Sequence, residues 1–314
     1  MLQQIERYHI HSLLGEGSMG IIYKGYDPLI ERFVAVKTIN PDPLEPLSFE
    51  STKTYFENEI KILGKCQHPH IVQIYDAFFK NENIYIIEEY IEGSTLACLL
   101  SKDSKNDFGE ILTLIYALAE AISHLHKKGI IHRDLKPSNL LISNKTELKL
   151  IDFGTATFIE EAINENLLIG TPNYMSPEQC LKKRMDERSD IFSIASIFYA
   201  LLSGKKPFDG KNCMQIINNI LHNPPLPISC IRTDMNSFLL KKLDSFFDTA
   251  LSKEPCKRFQ NIEQFKHNLK ILEDTSMEAQ KGKKKQSFFL KFLPSNCFKD
   301  SDATCIVPFS ENKE

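Results

Sequence analysis

Ile130-Ile131-His132-Arg133-Asp134-Leu135-Lys136-Pro137-Ser138-Asn139 is the stretch on which the reading of this chain turns. Two isoleucines lead into a cluster that holds an acid, basic side chains and an amide within a few positions. Such a loop packs poorly but suits the handling of an anion. Alone it would be read as a charged surface turn. It is not alone: Gly15-Glu16-Gly17-Ser18-Met19-Gly20 precedes it, and Leu150-Ile151-Asp152-Phe153-Gly154 follows it.

Working outward, residues 8–39 alternate like strands interrupted by glycine. Tyr8 to Leu14 runs into the glycine cluster, then Ile21-Ile22-Tyr23, then Arg32 to Ile39. Glycines between two β-rich runs let the backbone turn tightly and approach a ligand. A dinucleotide-binding turn uses the same letters but opens a helix after them. Here a β-branched strand continues, which excludes that reading. Lys37 ends the apolar run Val34-Ala35-Val36, and residues 40–54 read as a loop. From about Thr54 the spacing of Phe56, Glu59, Ile60 and Leu63 predicts a helix with a carboxylate on its apolar face. An unpaired charge there is costly, and Lys37 is the expected partner of Glu59.

Two further strands are expected at Ile71–Ile74 and Ile84–Glu88, then a hinge at Glu89-Tyr90-Ile91-Glu92-Gly93. An amphipathic helix is expected over residues 110–127, with His124 and His126 read as capping or packing groups in preference to metal ligands. Glu147–Ile151 reads as a strand. Residues 190–202 are apolar nearly all round and read as a helix buried inside a lobe, with more helices to about Leu272.

The order and spacing of the glycine loop, Val34-Ala35-Val36-Lys37, the helix glutamate, His132 to Asn139, Asp152-Phe153-Gly154, Ser176-Pro177-Glu178 and Arg258 resemble the eukaryotic-type protein kinases over residues 8–272. Gly170-Thr171-Pro172-Asn173-Tyr174-Met175-Ser176-Pro177-Glu178-Gln179 and the compact layout look most like the bacterial serine/threonine members. The resemblance implies an α+β bilobal protein-kinase fold. A β-rich N-lobe with one key helix would span 8–91, a mainly helical C-lobe 92–272, and a basic, aromatic tail 273–314.

It also implies a serine/threonine kinase using ATP and Mg²⁺, with Mn²⁺ an acceptable substitute. Asp134 would be the catalytic base. Lys136 would steady the γ-phosphate, and Lys37, held by Glu59, the α- and β-phosphates. Asn139 and Asp152 would ligate the metal. Gly15, Glu16, Gly17, Ser18, Met19 and Gly20 would cover the phosphates. Ile22, Ala35 and Leu141 would sandwich adenine, with Glu89 and Ile91 offering hinge backbone to its edge. Leu63, Ile74, His132 and Phe153 would stack between the lobes. Arg133 is expected to pair with Glu160, Glu161 or Glu165 in place of a phosphate. Ser138 argues against an arginine-directed substrate preference, and Thr155 resembles kinases that accept threonine.

Two positions depart from the family pattern. Glu88 falls at the gatekeeper, where an uncharged residue is usual. Strand alternation turns it into the pocket, to raise its own pKa or compete with Glu59 for Lys37. This motivates an alternative, a catalytically weak scaffold. Ala195 replaces a usual glycine, with little consequence expected.

The bulk numbers are ordinary for a soluble globular protein: 314 residues, 42% hydrophobic, 25% charged, net charge −3. That charge does not suggest a nucleic-acid binder. The eight cysteines show no C-x-x-C spacing and read as reduced, mostly buried thiols. No signal peptide or membrane-length apolar run is apparent, so the chain reads as cytoplasmic. The cluster Lys281 to Leu293 reads as a solvated extension, with weak contact to an anionic membrane the less favoured role.

Overall fold

A computed structural model describes residues 4–17, 20–39, 49–80, 83–100, 107–160 and 172–280. The period-two pattern between Tyr8 and Glu89 builds a six-stranded antiparallel sheet. Its strands are β1 (Gln4–Ile5), β2 (Tyr8–Gly17), β3 (Gly20–Asp27), β4 (Arg32–Ile39), β5 (Ile74–Lys80) and β6 (Asn83–Glu89), in the spatial order β1-β2-β3-β4-β6-β5. α1 (Phe49–Lys65) connects β4 to β5. Alternation divides the sheet's faces. Tyr8, Val34, Val36, Tyr85 and Ile87 bury together on one side, while Ile84 and Ile86 pack with Phe56 of α1 on the other. Gly20, at φ +133°, restarts the chain as β3 in a conformation that side chains resist.

The remainder is mainly helical, with short hairpins that carry loops. β7 (Gly93–Thr95), α2 (Leu96–Leu100) and α3 (Phe108–His126) are followed by β8 (Ile130–Ile131), β9 (Leu140–Ser143), β10 (Leu148–Leu150) and β11 (Thr157–Phe158). Then come α4 (Pro177–Cys180), α5 (Glu187–Ser203), α6 (Cys213–His222), α7 (Ser237–Ala250) and α8 (Ile262–Gln280). α5 is buried almost all round, so it is capped without reliance on solvent. Asp186 accepts from Arg188 N at its start, and Gly204 closes it at φ +67°. Ala195 is wholly buried in it. The core formed by α3, α5, α7 and α8 also takes in Leu63 of α1 and Phe153, with Ile74 packed against it. A Cβ at Gly93 would collide with the Ile142 carbonyl, which is why β7 can lie so close to β9.

Several boundaries differ from expectation. α1 begins at Phe49, not near Thr54: no proline follows Pro46, so nothing blocks the extra turn. The apolar run at Ile71 does not start a sheet strand. Ile71 and Val72 are buried in the lower core, Val72 N donates to Leu150 O (3.0 Å), and Leu150 N to His70 O (2.9 Å). The sheet strand begins only at Ile74. α8 continues past Leu272 to Gln280, with Thr275 and Ser276 still buried. α3 is long and apolar enough to cross a membrane, contrary to the expectation that no run approaches this, but most of its residues face the core. Among the described residues Cys66 is buried, while Cys230 and Cys256 are exposed thiols and Cys213 is disulfide-bonded. The expectation of reduced, mostly buried thiols therefore holds only in part. Ser18, Met19, Glu161, Glu165, Thr171 and residues 281–314 lie outside the described residues.

Candidate active site

The sheet register sets the cleft's roof. Ile22 pairs with Lys37, Lys37 with Ile86, and Ala35 with Glu88, so all five side chains share one face. Gly15, Glu16 and Gly17 of β2 pair with Ile22, Ile21 and Gly20 at its outer edge. Leu141, half-buried on β9, belongs to the floor. Glu89 and Ile91 join roof to floor. Glu89 N donates to Gln73 O (2.8 Å), its carboxylate accepts from Lys149 (2.8 Å), and Ile91 packs on the lower core.

Lys37 Nζ donates to both Glu59 oxygens (2.8 and 3.1 Å) and to Asp152 Oδ1 (3.3 Å). Glu59 is completely buried and also accepts from Phe153 N (3.2 Å). The carboxylate required by the apolar stripe of α1 thus clamps Lys37 and the Asp152-Phe153 backbone together. Burial alone would lower the Lys37 ammonium, but Glu59, Asp152 and Glu88 outweigh it and hold it above its ordinary value. Burial pushes Glu59 up against the pull of Lys37. Asp152 moves the other way: burial would raise it, but Lys37, Lys136 and His132 hold it below the usual carboxylate range.

The opposite wall is the loop between β8 and β9. Lys136 Nζ lies 2.9 Å from Asp134 Oδ2, and Asn139 Nδ2 donates to Asp134 O (2.9 Å) and Oδ2 (3.2 Å). Ile151 N donates to Asn139 O at 2.9 Å, which places Asn139 beside Asp152. Arg133 and Asp152 both have positive φ, +68° and +65°. Two non-glycine residues in that region on either side of one cleft are a sign of functional backbone strain. The His132 ring meets Phe153 edge-on at 5.0 Å, as the expected inter-lobe stack requires.

Asn139 turns its amide nitrogen toward Asp134, and its carbonyl O accepts from the amide of Ile151, the residue before Asp152. A side-chain amide oxygen and a carboxylate are hard donors of the kind that suits a small divalent cation. No group of three or more His, Cys, Asp or Glu among the described residues is arranged to hold a metal. A cation here would share its coordination with a phosphate-bearing ligand, as Mg²⁺ commonly does.

Glu88 faces the cleft and is buried at 8% exposure, with Oε1 lacking any hydrogen-bond partner. Burial pushes its carboxyl up to about 8; Lys37 opposes this, and Glu59 and Asp152 add to it. Of the two expected outcomes, the raised pKa is the one found: Lys37 bonds Glu59 and Asp152.

Some of the wiring was not anticipated. Asp190 accepts from His132 N (2.9 Å), Arg133 N (3.0 Å) and His126 Nε2 (2.9 Å), and so pins the catalytic loop to α5. Gln179 donates to Arg133 O (2.6 Å), and its Oε1 accepts from Ser176 N (2.9 Å). The signal for Asp190 was an acid at the head of an apolar helix, which needs partners to be buried. Arg258 holds Glu178 through two bonds, 2.8 and 2.7 Å, as expected. Arg133 Nε donates to Thr155 O (2.6 Å), and Glu160 is exposed.

A family model described as a protein kinase domain matches residues 8–269. The chain is 30% identical over 275 residues to a probable serine/threonine-protein kinase of Corynebacterium efficiens, covering 85% of this chain and 41% of that protein. It is 30% identical over 279 residues to serine/threonine-protein kinase PrkC of Bacillus subtilis (85% and 41%). With PknB of Mycolicibacterium smegmatis the identity is 31% over 272 residues (84% and 42%). The chain spans about two fifths of the length of these relatives. All three carry kinase names, and the scaffold alternative finds no support among them.

Proposed function

The chain belongs to the protein kinase domain family, and on that footing we propose that it is a serine/threonine kinase moving the γ-phosphoryl group of Mg·ATP to protein hydroxyls. One observation carries the reading: Lys37, Glu59 and Asp152 form a hydrogen-bonded unit that Ile151 N joins to Asn139, Asp134 and Lys136. Phosphoryl transfer asks the protein chiefly for position and charge, and this unit supplies both.

Lys37 is charged and immobilised before any phosphate arrives. Asp134 is fixed on two sides, by Lys136 and Asn139, and receives or orients the proton of the acceptor hydroxyl. Lys136 is then placed for the transferred group. Asp152 and Asn139 would hold a divalent cation, which when bound supplies charge neutralisation across the phosphates. Ile22, Ala35 and Leu141 close over the base, with Glu89 and Ile91 at its edge. Activity independent of activation-segment phosphate is part of this proposal, with Glu160, Glu161 or Glu165 as the partner of Arg133. So is a cytoplasmic setting, where ATP and protein substrates are at hand.

Incubation with γ-labelled ATP, Mg²⁺ and a generic acceptor protein tests the reading. Wild type should label the acceptor, and Asp134→Asn should reduce the rate by about 10²- to 10⁴-fold. Equal labelling by both would overturn it.

A further inference from the structure

Three imidazoles meet away from the cleft, where α1 is joined to the lower lobe. His68 and His70 lie between α1 and β5, and His124 lies in the last turn of α3. All three are half-buried, and the His68 ring stands 5.5 Å from that of His70 and 5.2 Å from that of His124. The bonds around two of them fix where their protons sit. His70 N donates to His68 Nδ1 (3.2 Å), so the His68 proton is on Nε2. His70 Nδ1 lies 2.9 Å from Leu148 O, which only accepts, so that nitrogen carries the His70 proton. His124 Nε2 is buried with no hydrogen-bond partner among the described residues. The charges that face the cluster are mostly positive. Lys149 of β10 stands near His68, and Lys128 and Lys127 near His124, with Glu120 of α3 opposing them at His68. Glu120 is itself paired with Lys266 at 2.6 Å. Burial, then His124 and His70, hold His68 below the ordinary imidazole range, and burial, then Lys128 and Lys127, does the same to His124.

The cluster sits on the segment that stitches α1 to the lower lobe. Ile71 N donates to His68 O (3.0 Å), Leu150 N to His70 O (2.9 Å) and Val72 N to Leu150 O (3.0 Å). The segment leads from α1, whose Glu59 holds Lys37, and β10 runs on into Asp152. We propose that His68 and His124 make this a proton-operated joint, closed while their rings are neutral and opened when they charge. A proton on His68 Nδ1 removes the acceptor of His70 N and sets a charge against His124 and Lys149. A second proton, on His124, adds a like charge one ring away. The segment then leaves α3, α1 follows it, and Glu59 loosens its hold on Lys37. The opened segment takes up protons more readily than the closed one, so acid favours the open form and neutral pH the closed. Resting on the kinase reading, the joint makes phosphoryl transfer fall as the surroundings acidify.

His68→Asn keeps an acceptor close to the position of Nδ1 and does not charge, and His124→Gln likewise stays neutral. kcat/KM for Mg·ATP, measured on the full chain from pH 7.5 to 5.5 with a generic acceptor protein, compares wild type with the double variant. The two should agree within about twofold at pH 7.5, and by pH 5.5 wild type should have lost about threefold more than the variant. Their ratio cancels the acid loss common to both. Superimposed profiles overturn the proposal and leave the kinase reading intact. In wild type alone, the Cε1–H magnetic resonance signals of His68 and His124 should titrate below the ordinary imidazole range and in step with activity. Titration in the ordinary range, or apart from the activity, overturns the proposal whether or not the variant folds. Far-ultraviolet circular dichroism of wild type should stay unchanged over the same range. Its collapse together with activity overturns the joint too, because the whole chain and not one segment has then opened. Absence of transfer by wild type at pH 7.5 overturns the kinase reading and the joint with it.

Discussion

Replacing Glu88 by glutamine should make the folded chain more stable, by an amount that grows with pH. In the unfolded chain the carboxyl ionises near 4.5, while in the folded chain it stays protonated to about 8. Below pH 4.5 neither state is ionised and the group contributes no difference. As pH rises, the unfolded chain gains the free energy of ionisation and the folded chain does not. Stability is therefore lost at about 1.4 kcal/mol per pH unit. From 4.5 to about 8 the loss comes to about 5 kcal/mol, with about 3 kcal/mol of it present at pH 7, and it is constant above that range. Lys37 facing the group from β4 works against this penalty; Glu59 on α1 and Asp152 after β10 work for it. Glutamine fills the same space and does not ionise. Urea unfolding of both proteins, followed by circular dichroism at pH 4, 5.5, 7 and 8.5, reads the difference directly. Subtracting one protein from the other removes the titrating groups that do not face Glu88. The gap should widen by about 3 kcal/mol between pH 4 and 7. A gap constant across the series would mean that Glu88 is ionised in the folded chain, and the burial argument would fail.

Three other outcomes follow from the same geometry. Arg258→Ala strands the buried Glu178 carboxylate and should cost about 3–5 kcal/mol; a thermal midpoint within about 2 °C of wild type would contradict this. Asp190→Asn withdraws one acceptor from the His132 and Arg133 amides, so kcat should fall about tenfold or more with KM for ATP nearly unchanged; a change confined to KM would refute a positioning role. Phosphatase treatment should leave wild-type activity intact, and collapse of activity would show that a phosphate, not Glu160, Glu161 or Glu165, serves Arg133.

Much of the site was legible because burying a charge forces a pairing. Glu59 on an apolar stripe demanded a cation, and the run ending in Lys37 supplied one. Period-two alternation was enough to turn Glu88 into the cleft. Asp190 escaped notice since helix α5 reads as apolar nearly all round, and two of its bonds serve backbone amides that carry no side-chain signature. The apolar run at Ile71 was misplaced for a related reason. An isoleucine-valine pair satisfies either a sheet or a core, and only the bonds to His70 and Leu150 decide between them.

Electron paramagnetic resonance of Mn²⁺ added with ATP most directly examines whether Lys37, Asp134, Asn139 and Asp152 surround one metal-bound triphosphate. Wild type should immobilise Mn²⁺ only when ATP is present, Asp152→Asn and Asn139→Leu should each lose that nucleotide-dependent signal, and Asp134→Asn should keep it. An unchanged signal in both Asp152→Asn and Asn139→Leu would place the metal elsewhere and contradict the account.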